Sequence, residues 1–145
     1  MLFRSDSHDL NVIKGMGGAL LWEKIVAVSS KRLVIIADET KLAPRLTGRV
    51  AVPVEVVAFG WESTAARLAA LGCDPVLRRD DDGEAYRTDE RNFILNCAFK
   101  NLSDPPGVER AVSMTVGVVE TGLFIGLASA AIVASAGGIR WIGRV

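Results

Sequence analysis

The sequence predicts an α/β fold in two parts: an incomplete Rossmann-like parallel α/β domain, and a ferredoxin-like α+β domain inserted into it. Three observations predict this. Residues 17–30 read as a helix and are followed by the apolar run Leu33-Val34-Ile35-Ile36-Ala37. A run without polar alternation is how a strand covered on both faces reads, and helix then buried strand is half of a parallel α/β unit. From Pro53 the pattern becomes strand, helix, strand, strand, helix, strand, the split unit of ferredoxin-like folds. Finally, Gly122 to Val145 supplies short apolar strands that can return to the first sheet. The domains are therefore placed at 1–50 with 121–145, and at 51–120.

Taken in order, Gly15-Met16-Gly17-Gly18 is a turn that opens the first helix. That helix is apolar on nearly every side, which predicts burial within a layered fold. Val54-Glu55-Val56-Val57-Ala58 is a short strand, and Ser63 to Leu71 a helix with Ser63 as N-cap and Gly72 as its stop. Pro75 to Arg78 is a strand, Arg79 to Glu84 a charged turn, and Asn92 to Phe99 a strand. Pro106 to Met114 is a helix with proline early, and Val116 to Glu120 the last strand of the unit. The first domain has too few elements to cover its own sheet, so exposed edges, exposed apolar faces and self-association are expected.

Composition narrows the function. Of 145 residues half are hydrophobic, and 17 Lys+Arg balance 17 Asp+Glu, for zero net charge. Nothing in that balance attracts nucleic acid. Small molecules and other protein chains are the expected partners. Cys73 and Cys97 sit among apolar residues without metal-ligand spacing and read as buried thiols in a reducing compartment. The N-terminus carries acids early and is not a secretory signal. Thr121 to Ile139 has no charge and the length of a membrane span, but its Gly, Ala and Ser content reads as short buried strands.

Few residues offer chemistry. Glu23 has Ala19, Leu20, Val26 and Ala27 one helical turn away. A carboxylate in that setting is either paired with a cation or desolvated, and desolvation makes it a better proton acceptor. Lys24 has a similarly apolar setting. Lys14 precedes the glycine turn, where backbone N–H groups at a helix start attract anions; the alternative is a mere turn. Asp38-Glu39-Thr40-Lys41 follows the apolar strand, the address for ligands in open parallel sheets, or is a solvated loop. His8, the one histidine, reads as exposed. Trp22, Trp61 and Trp141 are scattered and read as packing residues. One histidine cannot complete a metal set or a serine-histidine-acid triad.

The stretch from Asp9 to Val26, DLNVIKGMGGALLWEKIV, resembles the D-L-N-x-I-K-G-G-G-G-A-L-x-x-E-K-I-V signature of type A ribose-5-phosphate isomerases. The similarity continues through Ile36-Ala37-Asp38-Glu39-Thr40-Lys41, Pro53-Val54-Glu55-Val56, Thr88-Asp89 with Asn92-Phe93-Ile94-Leu95, and Gly117 through Gly126. The resemblance implies an aldose–ketose isomerase of the non-oxidative pentose phosphate pathway, cytoplasmic and homo-oligomeric (dimer or tetramer). It would interconvert ribose 5-phosphate and ribulose 5-phosphate through an enediolate, without metal or cofactor and without a membrane partner. It implies Glu23 as general base and Lys14 as the lysine that stabilises the oxyanion. Gly15 and Gly17 fall in the loop that closes on the sugar, and Lys41 on a substrate-contacting lysine. The chain departs from the pattern at Met16, Trp22, Glu90, Arg91 and Thr121. An upstream G-T-G-S-T phosphate loop is absent, and Met1 and Arg4 stand where a D-G-A-D-E motif has its aspartates. Residues 1–8 therefore look unrelated to the family, or altered. Weak or no isomerase activity is expected of this chain alone, with a non-catalytic remnant or oligomerisation module as the alternative.

Overall fold

The computed structural model describes residues 2–4, 10–44, 46 and 50–143. His8, Met1 and the first residue of the quoted signature, Asp9, lie outside the described residues.

The middle of the chain folds around one antiparallel sheet. Its strands are β5 (Val52–Val56), β6 (Cys73–Leu77), β7 (Phe93–Phe99) and β8 (Val118–Thr121), in the order β6-β7-β5-β8. Helices α2 (Trp61–Ala69) and α3 (Pro105–Ser113) complete the expected strand and helix order. Val54, Val56, Leu68, Leu95, Cys97 and Val112 are buried in one core. Each helix buries a narrow stripe there, Thr64 and Leu68 from α2 and Pro105 and Val112 from α3. Asp104 caps α3 by accepting from the Gly107 N–H at 3.1 Å. α2 starts earlier than the sequence suggests: Gly60, in the left-handed region, takes the N-cap position assigned to Ser63. Ser63 lies inside the helix, where its hydroxyl accepts from Arg67.

The rest of the described chain builds two small sheets. One is β4-β1-β2-β9, from Leu42–Ala43, Leu2–Arg4, Val12–Ile13 and Leu123–Phe124. The other is β11-β10-β3, from Gly138–Gly143, Ala130–Ser135 and Val34–Asp38. Among the described residues, parallel pairing is confined to β1 with β4 and β3 with β10; β11 returns antiparallel as a hairpin. The stretch Thr121 to Ile139 is thus strand and turn, and among the described residues no helix is long and apolar enough to cross a membrane.

Two expectations of burial are corrected. β3 is covered on one face only: Ile35 packs with Ala27, Phe124, Ala131 and Val133, while Val34 and Ile36 face out. In register with Ile36 stand Ile132 and Trp141, and with Asp38 stand Ala134 and Ile139, so one apolar face of this sheet lies open. Helix α1 (Leu20–Ser29) buries Leu20, Lys24 and Ala27, but Trp22, Ile25, Val26 and Val28 are more than half exposed. The physical reason is the same in both places. An apolar residue is buried only where a second layer meets it, and among the described residues no layer covers these faces. Trp22 and Trp141 are accordingly not core residues, whereas Trp61 packs edge-on against Phe93 at 6.4 Å. Cys73 and Cys97 are buried free thiols. The neighbouring Cys73 thiol, then burial, push the Cys97 thiol well above the usual range.

Candidate active site

The glycine turn connects β2 to α1 and presents two charged side chains to each other. Lys14 follows β2 and is pinned by its backbone: its N–H donates to the Gly122 carbonyl at 2.8 Å. Gly122 has no room for a side chain, since a Cβ would stand 2.3 Å from the Lys14 carbonyl oxygen. Glu23 lies in the first turn of α1, where the helix dipole favours a carboxylate. Lys14 Nζ and Glu23 Oε1 are 3.0 Å apart, with side-chain exposures of 21% and 37%. Of the two states open to Glu23 in the sequence, paired or desolvated, it is the paired one that forms, and its partner is the other charged residue singled out beside the turn. A pair this exposed stabilises a fold by roughly 0–1 kcal/mol, so stability alone gives little reason for it.

The glycines of the turn differ in kind. Gly15 is buried with φ +93°, and a Cβ there would meet Leu20 Cβ at 2.6 Å. Gly18, with φ +90°, lies against the Tyr86 hydroxyl. Gly17 is exposed and has no heavy atom within 4 Å of a built Cβ. Only Gly17 therefore faces open space; Gly15 and Gly18 shape the turn. Met16 stands 42% exposed at its tip and does not crowd the core.

Lys24 is the buried cation of α1. Its ammonium donates to Glu120 Oε1 at 2.6 Å and to the Leu123 carbonyl at 3.0 Å, and lies 5.1 Å from the centre of the Phe124 ring. Lys14 Nζ lies 5.9 Å from the same ring. The corner between β8 and β9 thus receives both lysines.

Two residues that the sequence does not single out for a site, Arg78 and Tyr86, hold the turn from the inserted domain. Arg78 donates to the carbonyls of Gly15 (3.2 Å) and Met16 (3.1 Å) and to Asn96 Oδ1 (2.9 Å), and Tyr86 donates to the Gly17 carbonyl at 3.4 Å. Burial lowers the Arg78 guanidinium from its ordinary value. Trp22 donates to Glu90, so two positions that depart from the resembling pattern meet each other.

Lys41 is not brought into the pair. It ends an exposed 3₁₀ turn, Glu39–Lys41, after β3, and among the described residues no hydrogen bond or ion pair links it to Lys14 or Glu23. Asp38 caps that turn, accepting from the Thr40 hydroxyl and from the Thr40 N–H at 2.9 Å, and these bonds hold its carboxyl below the usual range. Among the described residues no group of three or more His, Cys, Asp or Glu could hold a metal ion.

A carboxylate and an ammonium in contact beside a glycine turn, at a helix start in an α/β fold, form a site suited to moving a proton near a developing anion. The comparisons with known proteins agree with that class. The family described as Ribose 5-phosphate isomerase A (phosphoriboisomerase A) matches residues 5–138, so residues 5–8 belong to the matched region and are altered, not unrelated. The chain is 53% identical over 131 residues to ribose-5-phosphate isomerase A of a Synechococcus species and 50% identical over 132 residues to that of Gloeobacter violaceus. Those alignments cover 90% and 91% of this chain but 57% of either relative, so the chain spans little more than half the length of these relatives. Ribose 5-phosphate isomerase from Plasmodium falciparum superimposes with a TM-score of 0.90 at 34% identity, over 99% of this chain and 62% of its own. A second solved structure, a D-ribose-5-phosphate isomerase in complex with phospho-erythronic acid, gives a TM-score of 0.88 at 32% identity, over 93% of this chain and 59% of its own. The chain belongs to the ribose-5-phosphate isomerase A family.

Proposed function

We propose that this chain carries the proton-transfer residues of an isomerase that interconverts D-ribose 5-phosphate and D-ribulose 5-phosphate. The observation that carries the reading is the 3.0 Å contact between Lys14 and Glu23 across the glycine turn. Glu23 takes the proton from C2 of the aldose and returns it to C1 through an enediolate, while the hydroxyl proton on O2 passes to O1 and C2 becomes the carbonyl. The Lys14 ammonium, already beside the carboxylate, stabilises the negative charge that develops on the sugar oxygen. Gly17 leaves open space for the sugar at the turn, Gly15 shapes that turn, and Lys41 binds substrate from the loop after β3. The phospho-erythronic acid held by one relative supports a phosphorylated substrate. The chemistry uses no cofactor and no metal. Residues 1–50 with 121–145 make the catalytic body, residues 51–120 the inserted domain. The protein works in the cytoplasm, in the pentose phosphate pathway, as a homo-oligomer.

The alternative is a non-catalytic module of the same family. It is favoured by the open apolar faces that carry Ile36 and Trp22. Conversion of ribose 5-phosphate by the purified chain, with Glu23→Gln as control, separates the two. A rate that falls by about 10²–10⁴ in the control supports Glu23 as base. A rate that survives the substitution removes Glu23 from that role, and a folded chain with no turnover leaves the non-catalytic module.

A further inference from the structure

The Lys14–Glu23 pair is held from a distance. Lys14 and Glu23 flank the turn Gly15–Gly18, and the turn's own backbone supplies one internal bond, from the Gly18 N–H to the Gly15 carbonyl at 3.0 Å. The carbonyls of Gly15, Met16 and Gly17 all point at side chains of the inserted domain. Arg78, just past β6, reaches two of them with a single guanidinium nitrogen, while its other nitrogen is fixed by Asn96 of β7. The Arg78 guanidinium also lies 5.7 Å from the centre of the Tyr86 ring, which orients it further. The segment bearing Tyr86 is itself anchored in the core. Fully buried Glu55 of β5 accepts from the Thr88 hydroxyl at 2.8 Å and from the Asn92 amide at 2.9 Å. Hydrogen bonds joined by short stretches of chain thus lead from the middle of the inserted sheet to the turn between Lys14 and Glu23.

We propose that Arg78 is a positioning residue for the Lys14–Glu23 pair, its guanidinium clamping the Gly15 and Met16 carbonyls so that the inserted domain sets the geometry of the site. Lysine cannot replace it, because a single ammonium lacks the planar fork that reaches Asn96 and the turn together. Tyr86 is the second, weaker arm of the clamp. The kinetic part of this inference rests on the isomerase reading above; the structural part does not.

The test compares Arg78→Ala, Arg78→Lys and Tyr86→Phe with the unaltered protein. One readout is kcat and KM for ribose 5-phosphate; the other is hydrogen exchange at the Gly18 amide against the Leu95 amide in the inserted core. The clamp predicts a roughly tenfold to hundredfold fall in kcat for both Arg78 variants, with KM changed less than about threefold, since misplacement by about an ångström costs that much. It predicts exchange at Gly18 about tenfold faster, exchange at Leu95 unchanged, and a smaller change of the same kind in Tyr86→Phe. Faster exchange at both amides would mean a purely structural role and overturn the inference, as would an unchanged kcat in a folded Arg78→Ala protein. If the unaltered protein shows no turnover, the isomerase reading falls, and exchange at Gly18 decides the clamp: faster in Arg78→Lys supports it, unchanged overturns it.

Discussion

The inserted domain and the sheet that carries β3 are built from equally apolar strands, yet one is closed and the other open. In β5 every residue is buried, because β7 and β8 flank it and helices cover its sheet. In β3 burial alternates: Ile35 is 4% exposed and Ile36 74%. The composition of a strand does not decide its burial; the number of layers that reach it does. The same two regions meet at the glycine turn, where Arg78 and Tyr86 of the closed domain donate to carbonyls of Gly15, Met16 and Gly17.

Substitutions can sharpen or break that contrast. Leu95→Ala, in the closed core at 0% exposure, is expected to cost about 3 kcal/mol in denaturant unfolding, the transfer and cavity cost of a buried leucine. Arg91→Gly should act in the opposite direction. Arg91 has φ +64°, a left-handed conformation that costs a non-glycine residue about 1 kcal/mol, so glycine should raise stability by about that amount in the same assay. Ile36→Ala on the open face is expected to change stability by less than about 0.5 kcal/mol. A cost near that of Leu95→Ala would show that another copy of the chain covers this face in solution, and light scattering would then report the assembly. The smallest effect concerns Asp38. Its folded carboxyl titrates below the ordinary value, so the cap is fully formed above the unfolded pKa and is lost as pH falls through the folded one. The Thr40 amide resonance should therefore move only in acid below the usual carboxylate range, and should lose that titration in Asp38→Asn.

The ferredoxin-like unit was legible in the sequence because each of its strands and helices ends at a glycine, proline or charged turn, and the helices bury narrow stripes. The open faces were legible only as an expectation drawn from a shortage of elements. Read locally, Val34 to Ala37 gives the opposite answer, since an apolar run carries no information about what stands on either side. Ser63 was a plausible cap, but Gly60 adopts the left-handed conformation that starts α2. For Glu23, the neighbours on its helix established that it needed an explanation, and only the resemblance joined it to Lys14. Arg78 and Tyr86 stayed invisible because their partners are backbone carbonyls of the distant glycine turn, and carbonyls have no signature in a sequence. The one available cue was an arginine ending a strand with a tyrosine across the charged turn, so placed that both can face the same side.

The proposed isomerase function makes Lys14 and Glu23 one unit. It is tested most directly by the rate of ribose 5-phosphate conversion in Lys14→Met, Glu23→Gln and the double variant, measured against the unaltered protein. Residues that act together are strongly non-additive, so each single substitution is expected to lose nearly as much as the double. Losses that multiply independently, or a rate that survives either single substitution, would mean that the two residues do not act together.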